Sequence, residues 1–95
     1  MSKKDKLTAK FFEIPPSKSL TWKELEAFLK FFGFDSFNSK KGSSKVKFYN
    51  KEYDLFVSLH RPHPENTLLR YMVDEAREIV IRKLELEKLK NEKAE

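Results

Sequence analysis

The residues best suited to chemistry lie in one basic segment and in the His-Pro loop that follows it. Between residues 36 and 51 the chain has five lysines and no acidic residue. Its only two histidines, His60 and His63, come soon afterwards, on either side of Pro62. Lysine ammonium groups attract phosphate, and histidine can transfer protons because it titrates near neutral pH. This combination favours a surface that handles phosphate, with RNA as the first candidate.

Each of these residues also has an ordinary structural interpretation. Lysines on an exposed strand can be no more than a solvated face, His60 could simply end a strand, and His63 could sit in a proline-bounded turn. A His-x-x-His metal site is the weaker alternative, because Pro62 keeps the segment extended whereas zinc motifs of this kind use a helix. Tyr49 could stack a base or make a cross-strand contact. These alternatives stay open from the sequence alone.

Composition limits the classes of protein that remain. The chain has 95 residues, a formal net charge of +5 and no cysteine, so it predicts one small domain with neither disulfides nor thiolate metal ligands. Two histidines cannot complete a zinc tetrahedron unless carboxylates join them. No apolar run is long enough to cross a membrane, and no apolar signal core follows the basic N-terminus. We therefore expect a soluble cytoplasmic protein without a cofactor, whose partner is anionic.

A helix with a well-marked start precedes the basic segment. Thr21 and Glu24 have the spacing of a capping box, and Gly33 is placed to end the helix in the left-handed conformation. Between them, apolar residues recur at steps of three and four, which predicts a buried helix face; they are Trp22, Leu25, Phe28, Leu29 and Phe32. Before this helix, residues 7–14 predict a short helical turn that Pro15 ends, after a loose N-terminus.

Three strands should position the basic residues. Residues 34–38, 45–49 and 53–60 alternate between apolar and polar side chains, and the last two segments predict an antiparallel hairpin. Val46 and Phe48 must point into the core, which leaves Lys45, Lys47 and Tyr49 on the opposite face of the sheet. That face should be open, because both long helices are expected on the other side.

The last helix should begin after an N-cap at Asn66. Its predicted buried stripe is Leu69, Met72, Val73, Ala76, Ile79 and Val80. Arg70, in its first turn, could contact phosphate or pair with Asp74 four residues later. The order of elements is therefore a short turn followed by α-β-β-β-α, an α+β two-layer sandwich with a three-stranded antiparallel sheet and two helices on one face.

Four segments of the chain resemble the HicA (YcfA-like) toxins of toxin–antitoxin pairs. The segments are residues 21–25, 32–34, 43–48 and 59–64, and the resemblance covers roughly residues 20–82. It implies the fold of a double-stranded-RNA-binding domain, metal-independent endoribonuclease (mRNA interferase) activity on mRNA, and silencing by a HicB antitoxin. The resemblance divides the chain into an N-terminal extension (1–19), a HicA-like RNA-binding domain (20–82) and a charged C-terminal helix extension (83–95).

The family's Gly-Ser-His triplet, whose histidine is catalytic, aligns with Ser43-Ser44-Lys45 when counted back from Phe48. Lys45 therefore stands where the family has histidine. Lysine is almost wholly protonated at pH 7, so it can stabilise charge on phosphate but is a poor base. The resemblance and the charge pattern together assign RNA binding to Lys40, Lys41, Ser44, Lys45, Lys47, Arg61 and Arg70, and any catalysis to Lys45, His60 and His63.

Three hypotheses about function follow. The first is a HicA-like mRNA interferase, a hydrolase that acts on RNA through the basic sheet face. The second is a catalytically inactive relative that only binds RNA. The third is a protein-interaction module, in which a HicB-like antitoxin covers the basic face or the charged C-terminal helix makes a homo-oligomer contact.

Overall fold

In the part of the chain that the structure describes, three helices and three strands follow one another in the order α-α-β-β-β-α. A computed structural model describes residues 3–15, 18–38, 44–62 and 67–93 of the chain. The elements are α1 (Lys3–Phe12), α2 (Trp22–Phe31), β1 (Asp35–Asn38), β2 (Lys45–Asn50), β3 (Leu55–His60) and α3 (Arg70–Lys93). The strands form one antiparallel sheet in the order β1-β2-β3. The predicted α+β class and the α-β-β-β-α order of its main elements are confirmed.

The ends of α2 explain its bounds. The Glu24 amide donates to the Thr21 hydroxyl at 3.3 Å, and the Thr21 amide donates to the Glu24 carboxylate at 3.0 Å, so the predicted capping box is confirmed. At the other end Gly33 has φ +88°, and the amides of Gly33 and Phe34 donate to the carbonyls of Lys30 and Leu29. This is a Schellman motif, which satisfies the last carbonyls of the helix and turns the chain into β1.

The core lies between the sheet and the helices. Val46 and Phe48 of β2 and Leu59 of β3 are buried. They meet apolar side chains from α2 and α3, and the buried members of those two helices are Trp22, Leu25, Phe28, Leu29, Met72, Val73, Ala76 and Val80. The predicted inward direction of Val46 and Phe48 is confirmed, and with it the outward direction of the alternate residues of β2.

The first helix is longer than the sequence pattern predicts. A ten-residue helix begins at Lys3, whereas we expected a short turn from Leu7 and a loose segment before it. The ring of Phe11 is fully buried and stacks on Phe28 with the centroids 4.2 Å apart. Phe12 also meets Phe28, edge-on at 6.1 Å, so aromatic packing against α2 compensates for the polar composition of the helix, which alone would not favour a stable helix.

The last helix departs from the prediction at its start. It begins at Arg70, and Leu69, which we assigned to the buried stripe, is 57% exposed, whereas its neighbour Leu68 is buried in its place. Met72, Val73, Ala76 and Val80 are buried as predicted, and Ile79 is partly buried. The predicted N-cap, Asn66, lies outside the described residues. No helix in the described ranges is long and apolar enough to cross a membrane.

One buried polar side chain ties the hairpin to the end of α2. Asn50, at the end of β2, is 3% exposed. Its amide nitrogen donates to the carbonyl of Gly33 at 3.2 Å, and its carbonyl oxygen accepts from the Tyr53 amide at 2.9 Å. A buried amide that satisfies both of its polar ends in this way fixes the chain around it, so the β2–β3 turn and the Schellman turn are held together.

Candidate nucleic-acid interface

The sheet surface that faces away from the helices carries the basic residues of β2. Lys45 lies opposite His60 of β3, Lys47 lies opposite Ser58, and Tyr49 lies opposite Phe56. On the other side of β2, Phe37 of β1 is opposite Lys47 and Asp35 is opposite Tyr49. Opposite residues in a sheet point to the same face. We call this set the open face; it consists of Asp35, Phe37, Lys45, Lys47, Tyr49, Phe56, Ser58 and His60.

Ser44, Lys45 and His60 come together at one end of the open face. The Arg61 amide donates to the Ser44 carbonyl at 2.8 Å, which extends the pairing of β2 and β3 beyond the last ladder pair. The Ser44 hydroxyl lies 3.3 Å from Nδ1 of His60. The register therefore brings a histidine beside Lys45 from the neighbouring strand. Sequence analysis nominated all three residues, but their contact depends on the register.

The Ser44–His60 hydrogen bond determines what the other ring nitrogen can do. If the Ser44 hydroxyl donates to Nδ1, then Nε2 carries the proton and can donate it. If Nδ1 donates to Ser44, Nε2 has a lone pair and can accept a proton. Either tautomer gives one end of the open face a group for proton transfer, beside a lysine that can stabilise a phosphate.

Lys47 occupies the centre of the open face and lies over two aromatic rings. Its ammonium is 4.5 Å from the centroid of Phe56 and 5.6 Å from that of Tyr49. These are cation–π distances. The Tyr49 hydroxyl in turn donates to the Asp54 carboxylate at 2.8 Å, and this hydrogen bond is the main reason why the pKa of Tyr49 is raised above its usual value of 10.0.

Phe37 and Phe56 are members of this surface that sequence analysis did not assign to the site. They are 53% and 58% exposed, respectively. The strand alternation already set both residues apart from the inward-pointing positions, so the signal was present. Alternation alone does not bring the two rings together, because they belong to different strands whose register it leaves open.

Two of the predicted RNA-binding residues lie elsewhere. Arg61 follows His60 and points to the other side of the sheet, where its guanidinium lies 5.8 Å from the ring centroid of the α2 residue Trp22. Arg70 begins α3 in the helix layer and contacts the Asp74 carboxylate at 3.4 Å, the local pair that was the alternative to phosphate binding. Lys40, Lys41 and His63 lie outside the described residues.

In the part of the chain that the structure describes, the open face carries no metal cluster. Within residues 3–15, 18–38, 44–62 and 67–93, no group of three or more His, Asp or Glu residues could hold a metal ion. One groove of about 410 Å³ lies on the helix side, between α2 and β1, where Lys23, Lys30 and Phe34 contribute to its wall. None of the residues assigned to RNA binding or catalysis lines that groove. A second groove, of about 240 Å³, lies between Phe56 and α3. The rest of the open face is the surface of a three-stranded sheet, along which an extended ligand can lie.

The fold and this surface define a small α+β protein with a basic, aromatic sheet face. Comparison with protein-family models, curated proteins and solved structures finds no match to the chain. The likeness to HicA toxins therefore depends on the residue pattern alone, and function must be argued from the open face itself.

Proposed function

We propose that the protein is a HicA-like RNA-binding protein that acts on mRNA in the cytoplasm as the toxin of a toxin–antitoxin pair. The observation that carries the proposal is the position of Lys45, Lys47 and His60 on one exposed face that no described helix covers. The net charge of +5 favours a polyanion as the partner. Phosphates would lie along Lys45 and Lys47, where lysines give affinity without reading sequence.

In the enzymatic form of this proposal, His60 supplies the function of the histidine that is missing at position 45. Nε2 of His60 takes the proton of a ribose 2′-hydroxyl, and the 2′-oxygen forms a bond to phosphorus. The bond from phosphorus to the 5′-oxygen breaks, and solvent returns a proton to that oxygen. The products are a 2′,3′-cyclic phosphate and a 5′-hydroxyl. Lys45 stabilises the charge that develops on the phosphate, and no metal ion is required.

A second candidate is a catalytically inactive RNA-binding or protein-interaction module. Lys45 favours it, because an ammonium group on an exposed strand binds phosphate but is a poor base. The two candidates share the binding surface and differ only in proton transfer. Binding and cleavage must therefore be measured separately.

Binding is tested with a fluorescently labelled RNA and the double variant Lys45→Ala/Lys47→Ala. The matched control is Lys23→Ala/Lys30→Ala, which removes the same charge from exposed positions of α2. We expect the sheet variant to bind more weakly and its slope of log affinity against log salt to fall by about 1.4, about 0.7 for each phosphate contact. The control should keep the wild-type slope. Equal losses in the two variants would show only a general effect of charge.

Cleavage is tested by mapping the ends of RNA fragments and by growth arrest in cells that express the chain. The variants are His60→Ala, His63→Ala, and the triple variant Lys45→Ala/His60→Ala/His63→Ala. We expect His60→Ala to abolish formation of 2′,3′-cyclic phosphate ends while the affinity for RNA stays within about twofold. Unchanged cleavage and toxicity in the triple variant would exclude the catalytic proposal and leave the binding proposal standing.

The proposed protein partner is a HicB-like antitoxin, expected as the product of an adjacent gene. Co-expression and co-purification test the pairing, with Lys45→Ala/Lys47→Ala as the variant expected to weaken it. A contact between copies through α3 is the alternative assembly, because Leu84 and Leu89 of that helix are 41% and 51% exposed. Light scattering of wild type and Leu84→Lys/Leu89→Lys would detect it.

A further inference from the structure

Three aromatic rings share the open face, one on each strand. Tyr49 of β2 lies opposite Phe56 of β3, and Phe37 of β1 pairs with Lys47, two residues from Tyr49 along β2. Opposite side chains in a sheet lie about 5 Å apart at Cβ, and diagonal neighbours lie about 7–8 Å apart. The rings therefore form a diagonal row across the sheet, and we call Phe37, Tyr49 and Phe56 the aromatic row.

The exposure of this row is more than the scatter of single apolar residues that any surface shows. One exposed phenylalanine needs no explanation. Here Phe37 and Phe56 are both more than half exposed and lie on the same flat surface, whereas Phe11, Phe28, Phe34 and Phe48 are almost fully buried. Large apolar side chains grouped on one open face indicate a binding surface.

We propose that the aromatic row stacks the bases of single-stranded RNA, while Lys45 and Lys47 bind its phosphates. This inference rests on the proposed RNA-binding function and names the form of RNA that the surface takes. Bases of a single strand can splay out and stack on aromatic side chains of a sheet, whereas the bases of a duplex are stacked inside it and are out of reach. A row of rings beside lysines is therefore suited to a single strand, even though the family resemblance implies a duplex-binding fold.

The charge distribution favours RNA over a protein as the occupant and sets the path of its phosphates. Lys45 and Lys47 are the two outward residues of β2 that precede Tyr49, and Lys47 lies opposite Phe37 of β1. Asp35 and Asp54 lie at the Tyr49 end, where Asp54 accepts from the Tyr49 hydroxyl, and Glu75 and Glu78 of α3 line a groove beside Phe56. Phosphates should therefore lie toward Lys45 and away from Asp35.

Lys47 links base stacking to phosphate binding, because its ammonium contacts a ring of the aromatic row and can also reach a phosphate. In the free protein its ammonium lies over the ring of Phe56 at 4.5 Å. A cation–π contact at an exposed position is weak, and a base that stacks on Phe56 displaces the ammonium toward the neighbouring phosphate. The Lys47 ammonium then leaves the Phe56 ring and forms an ion pair with the phosphate. Stacking of a base on Phe56 and binding of a phosphate by Lys47 therefore favour each other.

The test compares the binding of three labelled ligands of about 12 nucleotides, a length within the range that single-strand binding surfaces cover. They are oligouridine, an abasic oligomer of the same charge, and an RNA duplex. The variants are Phe37→Ala, Phe56→Ala and their combination. Phe31→Ala is the matched control, because Phe31 is 40% exposed on α2. Thermal unfolding of each variant establishes that it is folded.

We expect each open-face substitution to weaken oligouridine binding by about fivefold to 150-fold, the loss typical of one stacked base, and Phe31→Ala to leave it unchanged. Tyr49→Phe keeps the ring and should retain binding. The wild type should bind the abasic oligomer and the duplex more weakly than oligouridine.

Two results would overturn the stacking inference alone. The first is wild-type affinity in the Phe37→Ala/Phe56→Ala variant, and the second is equal affinity of the wild type for oligouridine and the abasic oligomer. Either result would mean that lysines bind phosphate without base stacking, so the proposed RNA-binding function would stand. A wild-type protein that binds none of the three ligands would instead refute both proposals.

Discussion

The two ends of the β2–β3 hairpin have opposite character. At the end near the turn, Asn50 is buried and is hydrogen-bonded to Gly33 and Tyr53. At the other end, Ser44 and His60 are exposed and joined by one hydrogen bond of 3.3 Å. Loss of a partner in a buried hydrogen-bonded network lowers stability more than loss of an exposed contact, because the groups left behind cannot all reach water. The hairpin is thus held at one end and presents its chemical groups at the other.

This difference explains how a small domain stays folded although one face of its sheet is open and charged. Side chains in a strand alternate between its two faces, so a register shift of one residue would exchange Val46 and Phe48 for Lys45 and Lys47 in the core. Asn50 and the packing of Val46 and Phe48 oppose such a shift. The open face then keeps its composition although its own residues contribute little to the free energy of folding.

The largest effect is expected from Asn50→Ala. The substitution removes the donor to the Gly33 carbonyl and the acceptor for the Tyr53 amide, and leaves these two partly buried backbone groups unpaired. We expect the free energy of unfolding to fall by about 1–3 kcal/mol. Chemical denaturation measures it, with Asn38→Ala, an exposed asparagine of β1, as the control that should change stability by less than about 0.5 kcal/mol. Equal effects of the two substitutions would contradict the difference between the two hairpin ends.

The next effect in size is expected from Gly33→Ala. At φ +88° the backbone of an alanine is strained, and its Cβ would lie 3.0 Å from the side-chain nitrogen (Nδ2) of Asn50. The strain of the left-handed conformation should cost about 1–2 kcal/mol. Because the close contact is with Asn50, the penalty should be smaller in an Asn50→Ala background. A double-mutant cycle measures this coupling, and strictly additive effects would show that the two residues act independently.

The bounds of α2 could be predicted from the sequence, but the hydrogen bond from Asn50 to Gly33 at its end could not. The capping box and Gly33 are local signals, since each depends on residues within a few positions of one another. The hydrogen bond from Asn50 to Gly33 joins residues 17 positions apart, and the sequence pattern places Asn50 only between two predicted strands, 45–49 and 53–60. Long-range polar contacts depend on how elements dock, which no local pattern encodes.

The open face shows the same division. Alternation correctly separated Lys45 and Lys47 from the core, because the period of a strand is a local property. Alternation does not set the register, however, since a shift of two residues keeps every side chain on its face. The contact between Ser44 and His60 therefore needed the structure. The charge pattern and the family resemblance assigned Arg61 to RNA binding, but neither shows that its guanidinium lies over Trp22 on the opposite side of the sheet.

A smaller effect is expected from Lys47→Ala at the exposed centre of the sheet. The loss of its ammonium from the rings of Phe56 and Tyr49 should lower the free energy of unfolding by about 0.5–1 kcal/mol, the range of exposed cation–π contacts. Lys47→Arg, which keeps a cation over the rings, is the control and should restore most of the stability. A loss as large as that of Asn50→Ala would mean that Lys47 on the open face contributes to the free energy of folding as much as the buried Asn50 side chain does.

The smallest effect concerns Tyr49 and appears only at alkaline pH. The hydrogen bond to Asp54 raises the pKa of Tyr49 in the folded protein, so the folded state holds the phenol proton more tightly than the unfolded state does. The stabilisation is fully present below the unfolded pKa of about 10 and is lost as the pH rises through the higher folded pKa. Wild type should therefore be more stable than Tyr49→Phe by a constant amount from neutral pH to about pH 9, and the difference should shrink above about pH 10.

Denaturation of both proteins across this range measures the difference, and because the other tyrosines and the lysines are common to both, their titration cancels. A difference that stays constant to high pH would show that Asp54 does not raise the pKa of Tyr49. The hydrogen bond to Asp54 would then not be what holds the Tyr49 ring in place on the open face.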